Sequence, residues 1–196
     1  SKDFQHLPGS NHDELKLDFE KLEKCALYQQ LDETDRLSLK QYDENGYAVL
    51  KQFVPESIVD EINEAIDEGL KNGRYEFVNK TKIMFAFHTL PALKKVGTDK
   101  KLMELLDVLI DGKAVLFQSI NFKMGSEQHT HSDSIHMTTY PLGGLLGVWI
   151  ALEDIGEDNG PLHYYPGSHK LPYYLNKDYD NEGNAWMIGN KSYDAY

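Results

Sequence analysis

Apolar positions recur along the N-terminal half at helical spacing. From Asp13 to about Gln30, Leu15, Phe19, Leu22 and Ala26 form one stripe, which predicts a helix packed on a core. GYAVLKQF (Gly46–Phe53) alternates and predicts a strand after the DENG turn. In the next segment Ile58, Ile62, Ile66 and Leu70 return to helical spacing. Glu56 stands in the first turn and Gly73 near the end. Leu102, Leu105, Leu106 and Leu109 mark another amphipathic helix before the Asp111–Gly112 turn. The pattern then changes. Ala114–Met124, Leu146–Asp154 and Pro161–Tyr165 predict strands, separated by Gly, Pro and Asn. Helices first and strands afterwards predict an α+β fold with an antiparallel sheet towards the C-terminal end. Several short strands fit a sandwich or jelly roll.

Composition narrows the function classes. Of 196 residues, 20 are basic and 32 acidic, a net charge of −12, and no run of Lys and Arg offsets it. Such a surface repels phosphate backbones and anionic membranes, so neither nucleic acid nor a membrane is expected as a partner. No apolar run approaches the length of a membrane span. Cys25 is the single cysteine. An intrachain disulfide or thiolate zinc cluster is therefore excluded, which suits a reducing, cytoplasmic location. Residues 1–12 are polar and are expected to form a loose arm.

The densest chemistry is HTHSDSIH, His129 to His136, with three histidines and an aspartate. If residues 129–133 are extended, the period of two puts His129, His131 and Asp133 on one face. Imidazole with carboxylate suits Fe(II), Mn(II) or Zn(II). A His-x-Asp pair is the local half of a site with two histidines and one carboxylate, which leaves coordination positions open. Spacing alone leaves a second reading open, in which these are ordinary hydrogen-bonding groups of a polar loop.

The flanking segments favour the metal. FQSINFK, GSEQHTHSDSIH, GVWIALEDIGEDNGPLHYYPGSHKLP and, upstream, NGYAVLKQFVPESIVDEINEAI together resemble the phytanoyl-CoA dioxygenase family of Fe(II)/2-oxoglutarate-dependent oxygenases. The resemblance covers about residues 37–173. It implies a double-stranded β-helix, a cupin-like jelly roll with N-terminal packing helices. Residues 1–36 would be an arm and helix, and 37–196 the oxygenase-like domain. It implies that His131 and Asp133 are iron ligands, and that Asn121, Lys123 and Trp149 line the cosubstrate pocket. Fe(II), 2-oxoglutarate and O2 would be the cofactors, and a small organic metabolite the hydroxylated substrate. The carboxylate of Asp133 implies hydroxylation, since related halogenases carry a small residue there. The acidic composition speaks against a CoA thioester, whose phosphates call for Lys and Arg. Trp149 as plain core, Lys123 as an exposed strand lysine, and structural roles for His163 and His169 are the competing assignments.

Two elements of the family pattern are missing. No histidine follows His169, and the only arginines are Arg36 and Arg74. A distal iron ligand and a base for the far carboxylate of 2-oxoglutarate are both unaccounted for, as are the last strands of the jelly roll. A domain so shortened leaves open edges, which predicts dimerisation or strand exchange. Two rival functions follow: an inactive oxygenase-fold binding or scaffold protein, and a zinc protein using the His129–His136 cluster.

Overall fold

In the computed structural model the described residues are 16–125, 128–139, 142–171, 173, 175 and 176. The loose arm expected at residues 1–12 lies outside them. The predicted helix over 13–30 divides into α1 (Phe19–Lys24) and α2 (Ala26–Gln30), with Cys25 extended at φ −61°, ψ 132° between them. The reason is geometric. In one continuous helix Leu22 and Leu27 would point about 140° apart. The break lets both enter one core, with Cys25, Tyr28, Leu39 and Leu105.

Asp32 caps α3 (Glu33–Lys40) by accepting the Asp35 N–H at 2.8 Å. A short α4 (Tyr42–Asn45) ends at Gly46, which takes the left-handed conformation at φ 79°, ψ 6°. Sequence alternation predicts a strand over Gly46–Phe53, and the structure corrects this. Its backbone donors go to side chains of α3: Val49 N–H to Ser38 Oγ at 2.8 Å and Lys51 N–H to Asp35 Oδ2 at 2.9 Å. The alternation survives as packing, since Ala48, Leu50 and Phe53 lie against the α1–α2 core.

The isoleucine stripe forms α5 (Glu56–Lys71), burying Ile62 and Ile66. Then come β1 (Lys82–Met84), a 3-10 turn at Ala86–His88, α6 (Pro91–Gly97) and α7 (Lys100–Leu109), the last in agreement with the leucine pattern. β2 (Ile120–Phe122) pairs antiparallel with β1, Ile83 opposite Asn121. Ile83 and the α5 isoleucines share a second core with Leu90, and Ile150 and Leu152 pack onto it.

Among the described residues β1 and β2 are the paired strands of the single sheet. The α+β reading therefore stands as mixed helices with few strands. Of the predicted strand Ala114–Met124 only Ile120–Phe122 is in a ladder, and Leu146–Asp154 and Pro161–Tyr165 are in none. Their apolar alternation reflects packing on one side: Leu116 covers Gly97, and Asn63 Nδ2 of α5 donates to the Leu152 carbonyl at 2.6 Å. No helix among the described residues is long and apolar enough to cross a membrane.

One contact joins the two ends of this fold. The segment YPGSHK turns at Pro166–Gly167, with Gly167 at φ 80°, ψ −5° and Ser168 N–H on the Tyr165 carbonyl at 3.0 Å, a type II turn. The turn docks on the end of α4. Gly167 N–H donates to Asn45 O at 2.9 Å, and His169 Nε2 to Asp43 O at 3.1 Å. Tyr164 lies against the Tyr47 ring at 5.2 Å. Burial, with Tyr164 and Asp43 nearby, pushes the Tyr42 hydroxyl up to about 12. The structural reading of His169 fits this clasp.

Gly46 is required there twice over. A Cβ on it would stand 2.2 Å from His169 Nδ1 and 2.4 Å from the Tyr164 hydroxyl. Gly73 has a similar φ of 75° but open space around it. Gly73→Ala is expected to cost about 1 kcal/mol, the left-handed strain alone, and Gly46→Ala roughly 3 kcal/mol because the clasp must also open. Denaturant unfolding of both variants checks this; equal losses would mean that the clasp adds nothing.

Candidate functional site

β2 leads into the segment that carries the histidines. Ser132 is extended at φ −94°, ψ 131°, and Asp133–Ile135 then form a 3-10 turn. The extended run expected across 129–133 does not form: the chain bends at Thr130 and 129–132 are in no strand. Asp133 opens the turn instead, its carbonyl accepting the N–H groups of His136 at 3.0 Å and Met137 at 3.1 Å. Ser134, in the same turn, is buried and hydrogen-bonded to the Tyr173 side chain.

His131 is oriented by its neighbour. Its Nδ1 lies 2.7 Å from the His129 carbonyl oxygen. A carbonyl oxygen only accepts, so Nδ1 carries the hydrogen and Nε2 is left for other partners. Nε2 faces Asp133 Oδ1 at 3.3 Å, with the histidine side chain 18% exposed and the aspartate 59%. Two electron-pair donors at that separation need something positive between them, a second proton on the ring or a cation. Ligands held at about 2.1 Å from one ion stand about 3.0 Å apart at right angles and about 3.4 Å apart in a tetrahedron. The pair fits the first two places of a metal site. A backbone carbonyl fixing the far ring nitrogen is the usual support of a ligating histidine.

The other residues of the cluster touch the pair without adding a third side-chain donor to it. The His136 ring meets the His131 ring edge-on at 5.5 Å. His129 contributes its carbonyl. Among the described residues no three His, Cys, Asp or Glu side chains gather as a metal-binding group.

The sequence-predicted pocket residues have three different settings. Asn121 sits in β2, 8% exposed, and its Oδ1 is buried with no hydrogen-bond partner. Such an orphaned acceptor calls for a donor. Lys123, just beyond β2, turns to α5 and pairs with Asp67 at 2.6 Å. Its hydrogen bond holds the Asp67 carboxyl below the usual range. Trp149 is 49% exposed on the segment that passes Asp133, where Gly147 faces Asp133 Oδ2.

Sequence reasoning overlooked Lys82. Its Nζ donates to Gln128 Oε1 at 2.9 Å, three residues before His131, and lies 5.8 Å over the Phe122 ring. A lysine with a neutral amide as partner, in a chain of net charge −12, is available to an anion. Strand alternation in TKIMF, with Ile83 in the core, placed Lys82 on the opposite face and was the signal to follow. Two open hollows of about 500 and 710 Å3 lie elsewhere, on the α1–α3 layer.

The sequence profile of the phytanoyl-CoA dioxygenase family matches residues 42–194. The zebrafish (Danio rerio) phytanoyl-CoA dioxygenase domain-containing protein 1 is 35% identical over 120 residues, 56% of this chain and 41% of that protein. The Caenorhabditis elegans homolog is 28% identical over 160 residues, 74% and 55% of the two chains. The Bos taurus protein is 41% identical over 93 residues, 45% and 32%. The chain spans about half the length, or less, of these curated relatives. No solved structure matches it significantly.

Mn(II) binding followed by electron paramagnetic resonance is expected to weaken at least about tenfold in His131→Ala and in Asp133→Ala, and to persist in His136→Ala. Loss in His136→Ala equal to that in His131→Ala would move the site into the wider cluster.

Proposed function

The chain belongs to the phytanoyl-CoA dioxygenase family, and from that premise we propose that it is a non-haem Fe(II)/2-oxoglutarate-dependent oxygenase that hydroxylates a small organic metabolite. The family is generally one of Fe(II)- and 2-oxoglutarate-dependent oxygenases. The observation that supports this reading most is the lone-pair side of His131 set 3.3 Å from Asp133. These two residues would hold the iron. With 2-oxoglutarate and O2 bound, that group supplies the oxidising power, releasing succinate and CO2 and inserting one oxygen atom into a C–H bond.

The site residues take separate parts in this reading. The His129 carbonyl keeps the His131 ring in one tautomer. Asp133 brings negative charge and occupies the coordination place that a halide would otherwise take, which supports hydroxylation. Asn121 carries a buried side-chain oxygen without a donor, which this reading assigns to the cosubstrate. Lys82 replaces Lys123 as the better candidate to meet a carboxylate, because Lys123 is engaged by Asp67. Trp149, half exposed, would shield the metal-bound face from water. The jelly roll that the family implies is assigned to residues 37–196, with 1–36 before it, and a cytoplasmic setting rests on the lone cysteine. This reading requires a third iron ligand. The second reading, a binding protein of the same fold without turnover, rests on the sequence, in which no histidine follows His169 and the only arginines are Arg36 and Arg74.

Anaerobic addition of Fe(II) and 2-oxoglutarate is the test. The oxygenase reading expects a weak visible charge-transfer band that disappears in His131→Ala and needs several-fold more 2-oxoglutarate in Lys82→Gln. A wild-type protein that binds 2-oxoglutarate without developing the band belongs to the second reading.

A further inference from the structure

Asn63 stands in the middle of α5, between the buried Ile62 and Ile66 and one turn before Asp67. Asparagine is a weak helix former, because its side chain competes for main-chain hydrogen bonds. Here the amide is used across the fold. Asn63 Nδ2 donates to the Leu152 carbonyl at 2.6 Å, 89 positions away. Asp67 reaches a second segment and pairs with Lys123 Nζ at 2.6 Å. Two residues one turn apart on α5 thus hold both segments that meet at Asp133. Lys123 follows β2, which leads towards His131, and Leu152 ends the segment that passes Asp133 at Gly147.

The two oxygens of Asp133 have different neighbours. Oδ1 faces His131 Nε2 at 3.3 Å, and a Cβ built on Gly147 would lie 3.7 Å from Oδ2. The Asp133 side chain is 59% exposed, so burial does not fix it, and the main chain at Gly147 is the wall beside it. The place of that wall is set further along. Ile150 and Leu152 pack on the α5 core, but apolar packing is non-directional and tolerates sliding. A hydrogen bond is directional, and the one from Asn63 fixes Leu152 along α5. The Lys123–Asp67 pair is partly exposed on both sides, so water and salt screen it and it contributes less.

We propose that Asn63 is a positioning residue of the site. Through its bond to the Leu152 carbonyl, α5 sets where Gly147 lies against the Asp133 carboxylate, and so how well Asp133 and His131 converge on one ion. The proposal rests on these two residues as the metal pair of the proposed function, and Asn63 acts on them through the 147–152 segment.

Four α5 variants of the 196-residue protein test it. Asn63→Leu removes the donor and keeps the side-chain size. Asn63→Ala also lacks the donor and is a better helix former, which secures the result against misfolding of the leucine variant. Asn63→Gln keeps an amide donor. Ile58→Val trims the same core and leaves both contacts in place. The Gly147 amide and Asp133 carboxyl resonances are recorded without metal, and Mn(II) affinity is measured by electron paramagnetic resonance. Both donor-free variants are expected to shift the two resonances and to weaken Mn(II) at least about threefold, with Asn63→Gln within about twofold of wild type and Ile58→Val unchanged. Unmoved resonances in the donor-free variants, shifts with unchanged Mn(II) affinity, or equal effects in Ile58→Val overturn the proposal. A wild-type protein that binds no Mn(II) refutes the metal pair instead, and the metal-free spectra still decide whether Asn63 positions Asp133.

Discussion

The His129 carbonyl decides what the site can do. By taking the Nδ1 hydrogen of His131 it frees Nε2, and the turn that begins at Asp133 brings a carboxylate oxygen within 3.3 Å of it. Neither group can lower its energy by bonding to the other unless a proton or a cation lies between them. The surrounding structure serves that arrangement. β2 delivers the segment, a hydrogen bond between Ser134 and Tyr173 anchors the turn, and the Trp149 segment passes the aspartate at Gly147.

That arrangement depends on long-range support. The two-residue reach of His131 and Asp133 is local, but the strand before them is held by β1, and β1 by the core that α5 and α6 build around Ile62, Ile66 and Ile83. The YPGSHK turn closes the far end of the fold on α4, over the bare Cα of Gly46. Helices, sheet and clasp are thus coupled through a few contacts between residues far apart in sequence. Small changes at Gly46 would therefore be felt well beyond it.

Much of this was legible in the sequence where one periodicity governs a whole element. The isoleucines of α5, the leucines of α7 and the Pro166–Gly167 turn stand where their spacing placed them. The break at Cys25 was not legible, because helical spacing continues through it and only the competition of Leu22 and Leu27 for one core interrupts it. Gly46–Phe53 alternates like a strand but spends its hydrogen bonds on Ser38 and Asp35, and alternation records side-chain packing, not backbone partners. At the site, the His-x-Asp pair was visible as a motif and its neighbours as a family resemblance. That Lys123 would be taken by Asp67, and that Lys82 would face Gln128, depends on contacts across 56 and 46 positions, which no local pattern encodes.

The central claim concerns which nitrogen of His131 holds the hydrogen and which meets the metal. Long-range proton–nitrogen correlation spectra of the histidine rings, recorded with and without Zn(II) as a diamagnetic stand-in, read both directly. The account predicts a His131 ring with hydrogen on Nδ1, and an Nε2 resonance that moves on metal addition while Nδ1 keeps its proton. An Nε2–H tautomer, or a metal response confined to His129 and His136, would contradict it.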